Sequence, residues 1–217
     1  MCSWMSCLLG LMFFAGITEC RAQLGSRRAD EWVTTLEGQH RVSAQKIDEV
    51  LGKLSLKPGT VVADIGAGSG VFSRPLARAV APSGKLYAVD VQQGLLDYIN
   101  KRNKEENIRN VQTVLGEFDD PKLPGRDVDL AFINDVLHHI RNRAVYLKAL
   151  AAYIKPNGHV AIIDMNSNDP NTPHKNQPEM LVAREDIIRW MSDAGFKLVE
   201  EYPNMFPGKK WFLIFGR

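Results

Sequence analysis

From Thr60 onward, short runs rich in β-branched residues alternate with stretches whose apolar positions recur every three or four residues. This alternation is typical of a mostly parallel sheet with helices on both faces. The runs predict strands at Val61 to Ile65, Lys85 to Asp90, Asn110 to Leu115, Val128 to Asn134 and His159 to Asp164. The stretches between them predict helices at Val71 to Val80, Leu95 to Glu106 and Ala144 to Ile154. We therefore expect an α/β protein with a doubly wound sheet.

The C-terminal third adds a helix and two strands. A helix is predicted at Glu185 to Ala194, followed by strands at Lys197 to Tyr202 and Lys210 to Phe215. Their short connection suits only an antiparallel pair, so the seven-stranded sheet is expected to end in a hairpin. Asn166 to Pro178 is rich in Pro, Asn and Asp without an apolar period, which predicts a surface loop that could close over the strand ends.

Two helices are predicted ahead of this core, at Arg27 to Glu37 and Val42 to Leu54. Before them, Cys7 to Thr18 is an apolar run too short for the ~20 residues that a membrane-spanning helix needs. We expect no stable membrane span. The run and the following Cys20-Arg21-Ala22 resemble a secretory leader, which suggests export or loose anchoring. The predicted organisation is a leader at 1–22, N-terminal helices at 23–55 and one domain at 56–217.

Composition removes several function classes. The 27 Lys and Arg residues against 25 Asp and Glu leave a net charge of +2, and like charges do not cluster, so no nucleic-acid partner is expected. The three cysteines, Cys2, Cys7 and Cys20, all precede the core. The core can therefore use neither thiolate catalysis nor a cysteine-based metal site, and no metal is expected.

The most informative motif follows the first strand, where Asp64 precedes glycines at 66, 68 and 70. Glycines let a chain turn sharply and let a ligand approach the backbone. A dinucleotide fingerprint would need its third glycine at position 71, which is Val. A carboxylate near this turn would repel a pyrophosphate and attract a cationic centre. The pattern therefore favours a positively charged nucleoside.

Further motifs follow in order. Asp90 ends the second strand, Gly116-Glu117-Phe118-Asp119 follows the third, and the fourth runs into Asn134-Asp135-Val136-Leu137-His138-His139. With the glycine turn, they resemble the class I S-adenosylmethionine-dependent methyltransferases, and the fourth motif resembles the small-molecule subgroup that includes ubiquinone and menaquinone biosynthesis enzymes.

The resemblance implies a Rossmann-like fold, S-adenosylmethionine as cofactor and a small-molecule acceptor. Asp90 would hold the ribose hydroxyls, and either Glu117 or Asp119 would accept the adenine amine. The implied cofactor-binding residues are Asp64, Gly66, Ala67, Gly68, Gly70, Asp90, Val91, Glu117, Phe118, Asp119, Asn134 and Asp135. His138 or His139 is the candidate general base; the alternative is that this pair only packs the turn and contacts the cofactor.

Two other functions stay open. Asp90 follows Gly70 by 20 residues, a spacing also found in nicotinamide-dependent oxidoreductases, although Val71 disfavours that function. The leader-like N-terminus is compatible with an exported, non-catalytic nucleoside-binding protein, whereas cofactor supply favours the cytoplasm. Trp32, His40 and His174 are possible pocket residues. The residues identify neither the methyl acceptor nor the oligomeric state.

Overall fold

A computed structural model describes residues 27–217, so the leader-like segment predicted at 1–22 lies outside the described residues. The N-terminal part forms three short helices, α1 (Ala29–Leu36), α2 (Gln39–Ala44) and α3 (Ile47–Leu51). The single helix predicted over Val42 to Leu54 is therefore wrong. Lys46 has a left-handed φ of 50°, which ends α2 and turns the chain before α3 begins.

The remaining chain alternates strands and helices, as the apolar pattern predicts. The elements are β1 (Val61–Ile65), α4 (Ser73–Val80), β2 (Lys85–Asp90), α5 (Gln93–Glu105), β3 (Val111–Leu115), β4 (Val128–Asn134), α6 (Arg143–Ala151), β5 (Ile154–Met165), α7 (Arg184–Asp193), β6 (Lys197–Glu201) and β7 (Lys210–Gly216). Short 3-10 turns lie at Leu137–His139 and Pro178–Met180.

The seven strands form one sheet in the order β3-β2-β1-β4-β5-β7-β6. Strands β1 to β5 pair in parallel, and β7 pairs antiparallel with both β5 and β6. The predicted Rossmann-like sheet with a C-terminal hairpin is confirmed. Because β2 and β4 lie on opposite sides of β1, the strand order reverses there, and sheets of this type bind ligands at the carboxyl ends beside such a reversal.

Alternating strand residues fill two apolar layers, one on each face of the sheet. On one face, Ile65 and Ile133 pack in the same cluster as Leu147 of α6 and Ile187 of α7. On the other face, Val50 of α3, Leu76 of α4 and Ile99 of α5 are buried in the same cluster as Phe132 of β4. Burial of both faces explains why the central strands are continuous apolar runs.

Strand β5 begins five residues earlier than predicted, and the helix expected to reach Ile154 ends at Ala151. Ile154 pairs with Val128, and the register then shifts so that His159 pairs with Leu130. This irregularity lies opposite the Lys155-Pro156-Asn157-Gly158 segment of β5. A bulge accommodates Pro156, which has no N–H to donate to a ladder.

Helix α1 is attached mainly by polar contacts, since none of its residues is fully buried. Glu37, which follows it, accepts a hydrogen bond from Arg74 of α4 over 3.0 Å through Oε1. Its Oε2 accepts one from the Tyr98 hydroxyl of α5 over 2.9 Å. Arg102 of α5 also lies 3.4 Å from Oε2. These contacts hold α1 over the carboxyl ends of the strands.

No helix within residues 27–217 is both long and apolar enough to cross a membrane.

Candidate functional site

A cavity of about 690 Å³ opens at the carboxyl ends of the parallel strands. Its volume lies within the ~300–1,000 Å³ of small-molecule sites. Gly66, Gly68 and Asp90 line the cavity, as do Pro173 and His174 of the segment after β5. A smaller cavity of about 80 Å³ adjoins it beneath the glycine turn. The predicted loop over Asn166 to Pro178 contains neither helix nor strand up to residue 177 and forms part of the wall.

The glycine turn is shaped for close approach. Gly66, Gly68 and Gly70 have φ values of 70°, 56° and 77°, which favour glycine over all other residues. A Cβ on Gly66 would lie 2.7 Å from Cγ1 of Val136, so this glycine is also required by packing. The nearest atom to a Cβ on Gly68 would be Cδ1 of Leu36, at 2.9 Å, the end of a flexible side chain. The turn therefore presents bare backbone to both cavities.

Asp90 fixes the turn from the neighbouring strand. Its Oδ2 accepts the Gly68 N–H over 2.9 Å, and its Oδ1 accepts the Gln92 N–H over 3.0 Å. Burial raises the pKa of Asp90, and these backbone donors act in the opposite direction. Asp90 and Val91 both line the larger cavity, and the contact of Asp90 with ribose hydroxyls stays a prediction.

Asp64 lies deeper than an exposed ligand group would. It is buried, and its Oδ2 accepts a hydrogen bond from the Ser73 hydroxyl over 2.5 Å. Burial raises the pKa of Asp64 to about 7, although the Ser73 hydroxyl lowers it. Asp64 lines only the smaller cavity, together with Ala67 and Asn134.

Asp135 is the acidic side chain that lies at both cavities. Its Oδ2 accepts hydrogen bonds from Lys210 Nζ over 2.8 Å and from Gln45 Nε2 over 3.1 Å, and Arg41 lies 3.6 Å away. Burial opposes ionisation, but Lys210, Gln45 and Arg41 hold the pKa of Asp135 below its usual value. The site therefore contains a fixed carboxylate beside the glycine turn.

The residues predicted to contact adenine differ in whether they line the cavity. Glu117 and Phe118 line the larger cavity, whereas Asp119 is exposed and does not. Phe118 is 42% exposed, an unusual position for a large apolar ring and one that suits stacking against a planar base. Gly70 lines neither cavity.

The two adjacent histidines differ in their environment. His138 is buried, and its Nδ1 lies 2.6 Å from Oδ1 of Asp164, whereas no described side chain forms a hydrogen bond with the ring of His139. Burial, followed by the nearby His138, lowers the pKa of His139 to about 4. Both rings line the larger cavity with His174 and Trp32, and His40 does not. In the described part of the chain, no group of three or more His, Cys, Asp or Glu residues could hold a metal ion.

Several site residues carry no local signal in the sequence. Arg41, Gln45 and Lys210 reach Asp135 from segments far away along the chain, so only the folded chain brings them together. Asp164 did carry a signal, because it is an acidic residue at the end of a buried strand, like Asp64 and Asp90.

Unpaired buried polar atoms indicate which part of an amino-acid nucleoside the site could bind. Ser69 Oγ, Asn134 Oδ1 and Asp135 Oδ1 are buried and form no hydrogen bond with any described residue. All three belong to residues that line the smaller cavity, beside the glycine turn. Oxygen acceptors without donors match the ammonium end of such a ligand, while Asp90 and Phe118 match a ribose and a base. The residues fit S-adenosylmethionine.

Comparison with known proteins gives the same family. A family model described as "Methyltransferase domain" matches residues 56–204. A demethylmenaquinone methyltransferase of Lactobacillus johnsonii is 29% identical over 161 residues, which are 68% of this chain and 65% of that protein. A Geobacillus enzyme of the same name is 24% identical over 54% of this chain and 50% of its own length. The chain spans about half the length of the curated relatives it matches.

Solved structures share the fold. An S-adenosylmethionine-dependent methyltransferase from Aquifex aeolicus has a TM-score of 0.77 at 23% identity, covering 88% of this chain and 98% of that one. The 1,6-didemethyltoxoflavin-N1-methyltransferase of Burkholderia thailandensis, solved with S-adenosylhomocysteine, has a TM-score of 0.64 at 19% identity, covering 91% and 86%. The match of the family model over most of the chain shows that the protein belongs to the class I S-adenosylmethionine-dependent methyltransferases.

Proposed function

We propose that the protein transfers the methyl group of S-adenosylmethionine to a small-molecule acceptor that carries an apolar ring. The observation that carries this proposal is the continuity of the larger cavity. The same cavity is lined by the glycine turn and Asp90 and by aromatic and histidine side chains, so one space can hold both a nucleoside and an acceptor. The quinone-modifying relatives agree with a ring-shaped acceptor.

When bound, S-adenosylmethionine supplies a methyl group that is already activated by the positive charge on sulfur. The chain therefore contributes mainly position and orientation. Asp90 and the glycine turn would hold the nucleoside, and Glu117 and Phe118 would contact its base. The unpaired oxygens of Asn134 and Asp135 would accept hydrogen bonds from the amino-acid end.

The acceptor would lie under α1 and against the loop after β5. Trp32, Met165 and Phe206 also line the cavity and make part of its wall apolar. Such a wall excludes water from the reacting groups and favours an aromatic or quinone-like ring over a highly polar acceptor.

Calorimetric titration of the full chain with S-adenosylhomocysteine tests the proposal. We expect binding, and we expect Asp90→Asn to weaken it by about 10- to 100-fold, since hydrogen bonds to a charged group contribute about 1.5–3 kcal/mol. Asp119→Asn is the matched control, because Asp119 is exposed outside the cavity. Absence of binding to the wild type, or equal affinities for both variants, would contradict the proposed site.

A further inference from the structure

Asp164 near the end of β5 is fully buried and directed at one histidine. Its Oδ1 lies 2.6 Å from His138 Nδ1, and its Oδ2 accepts the His138 backbone N–H over 3.1 Å. Oδ1 also accepts the Met165 N–H over 2.7 Å. Donors thus surround both carboxylate oxygens, as they surround an ionised group that can only accept. The imidazole proton is therefore placed on Nδ1, and the lone pair on Nε2.

The second ring nitrogen of His138, Nε2, can accept a proton from a molecule in the cavity. The ring lines the larger cavity, and Nε2 forms no hydrogen bond with any residue of 27–217. Arg143 of α6 donates to the carbonyl oxygens of Leu137 and His138 over 3.1 and 3.0 Å, which holds the 3-10 turn in place. Both the ring and its backbone are therefore fixed, as a proton acceptor requires.

The groups that face His138 do not compete for this role. The ring of His139 lies 4.0 Å away and that of His174 lies 5.3 Å away, centroid to centroid. His174 Nδ1 is 2.5 Å from Oε1 of Gln177, so its position is set by the loop. Among the residues that the structure describes, a buried carboxylate contacts only the first histidine of the pair.

We propose that His138 is the general base of the methyl transfer, that Asp164 positions it, and that the acceptor is a hydroxyl compound of the phenol or enol class. This inference rests on the proposed function. A neutral hydroxyl is a weak nucleophile and needs a base, whereas thiols ionise readily and neutral amines attack without prior proton loss. The aromatic side chains of Trp32 and Phe206 in the cavity lining suit a phenolic ring.

The atoms balance in a single displacement. The acceptor O–H bond breaks, and its proton moves to Nε2 of His138, giving an imidazolium beside the Asp164 carboxylate. The oxygen lone pair forms the new O–C bond with the methyl carbon. The C–S bond breaks, and its electron pair remains on sulfur, which becomes the neutral thioether of S-adenosylhomocysteine. The imidazolium then releases its proton to water.

The test uses 4-nitrophenol, whose phenol and phenolate forms have different absorption spectra. The probe is titrated into the full chain at several pH values, in the presence of S-adenosylhomocysteine and without any methyl transfer. We expect the wild type to bind the phenolate, so that the ionisation midpoint of the bound probe falls by at least about one pH unit, a tenfold change. His138→Gln should abolish this shift, and Asp164→Asn should reduce it. His40→Gln, an exposed histidine outside the cavity, should retain it.

A second readout is the pH profile of methyl transfer from labelled S-adenosylmethionine to catechol. His138→Gln should lower kcat by about 100-fold and remove the acidic limb of the profile. Asp164→Asn should move that limb, which a purely structural role would not do. If Asp164→Asn fails to fold, the His138→Gln pair of readouts still decides.

The outcomes separate this inference from the proposed function. If the wild type and His138→Gln bind S-adenosylhomocysteine alike, but 4-nitrophenol shows no shift in the wild type or the same shift in both, the base is refuted and the cofactor site stands. If S-adenosylhomocysteine does not bind, the proposed function fails and the inference that rests on it fails with it; a probe shift that still depends on His138 would then show only that this ring accepts a proton from a bound phenol.

Discussion

Gly66→Ala should be strongly destabilising, and the structure identifies the cause. The residue at 66 has a φ of 70°, and a left-handed backbone costs a residue with a Cβ about 1–2 kcal/mol. The added Cβ would also lie 2.7 Å from Val136 Cγ1, and overpacking of this kind costs about 1–3 kcal/mol. We therefore expect the free energy of unfolding to fall by about 2–5 kcal/mol.

A double-mutant cycle separates the two contributions. Val136→Ala removes both methyl groups next to the new Cβ, so Gly66→Ala/Val136→Ala should be more stable than the sum of the single changes by about 1–3 kcal/mol. The φ cost should remain. Gly68→Ala is the matched control, because its Cβ would meet only the end of the Leu36 side chain, and it should lose only about 1–2 kcal/mol.

Urea unfolding of the full chain, followed by far-ultraviolet circular dichroism, measures each value by linear extrapolation. Additivity of Gly66→Ala and Val136→Ala to within about 0.5 kcal/mol would refute the clash with Val136. Equal losses in Gly66→Ala and Gly68→Ala would show that φ alone determines the cost.

Three further predictions follow from the titrating and polar groups of the site. Asp64 has a pKa of about 7 in the folded chain against 3.8 in the unfolded chain. The wild type should therefore lose about 4 kcal/mol of its free energy of unfolding relative to Asp64→Asn as pH rises from about 4 to 7. Urea unfolding measured across this pH range without such a difference would contradict the prediction. The pKa of His139 is lowered to about 4, so its neutral ring stabilises the fold above pH 6.5, and this stabilisation is lost as pH falls towards 4. His139→Gln should therefore make the free energy of unfolding fall less steeply with acid, and an unchanged fall in this variant would contradict the prediction. Glu37→Gln should cost about 1 kcal/mol and weaken S-adenosylhomocysteine binding measured by calorimetry, while Glu31→Gln, on the exposed part of α1, should change neither.

The sequence predicted most strands closely because their signal is local. The apolar runs of β1, β2 and β4 end at turn residues, and their predicted and observed bounds agree. The early start of β5 depends on the pairing of Ile154 with Val128, a tertiary contact that no local pattern encodes. The break at Lys46 likewise depends on a left-handed backbone in a residue with ordinary helix propensity.

The site likewise contains residues that the sequence identifies and residues that only the folded chain brings together. Motif residues such as Gly66 and Asp90 can be identified from the sequence because the glycine turn and the acidic residue at a strand end are local patterns. The network around Asp135 is different, since Lys210 joins it across 75 residues of sequence separation and Gln45 across 90. A polar side chain just after a short helix, such as Gln45, or on a strand, such as Lys210, has no sequence pattern that reveals such a partner.

The polar attachment of α1 has a consequence for ligand exchange. The helix that closes one side of the cavity is held by Glu37 and its partners, whose side chains keep partial contact with water, while the sheet is held by fully buried apolar residues. Partly exposed ion pairs weaken as ionic strength rises, whereas the packing of buried apolar side chains does not. We therefore expect local opening of this segment to require less free energy than global unfolding, and ligands to exchange faster as salt rises while the sheet stays intact.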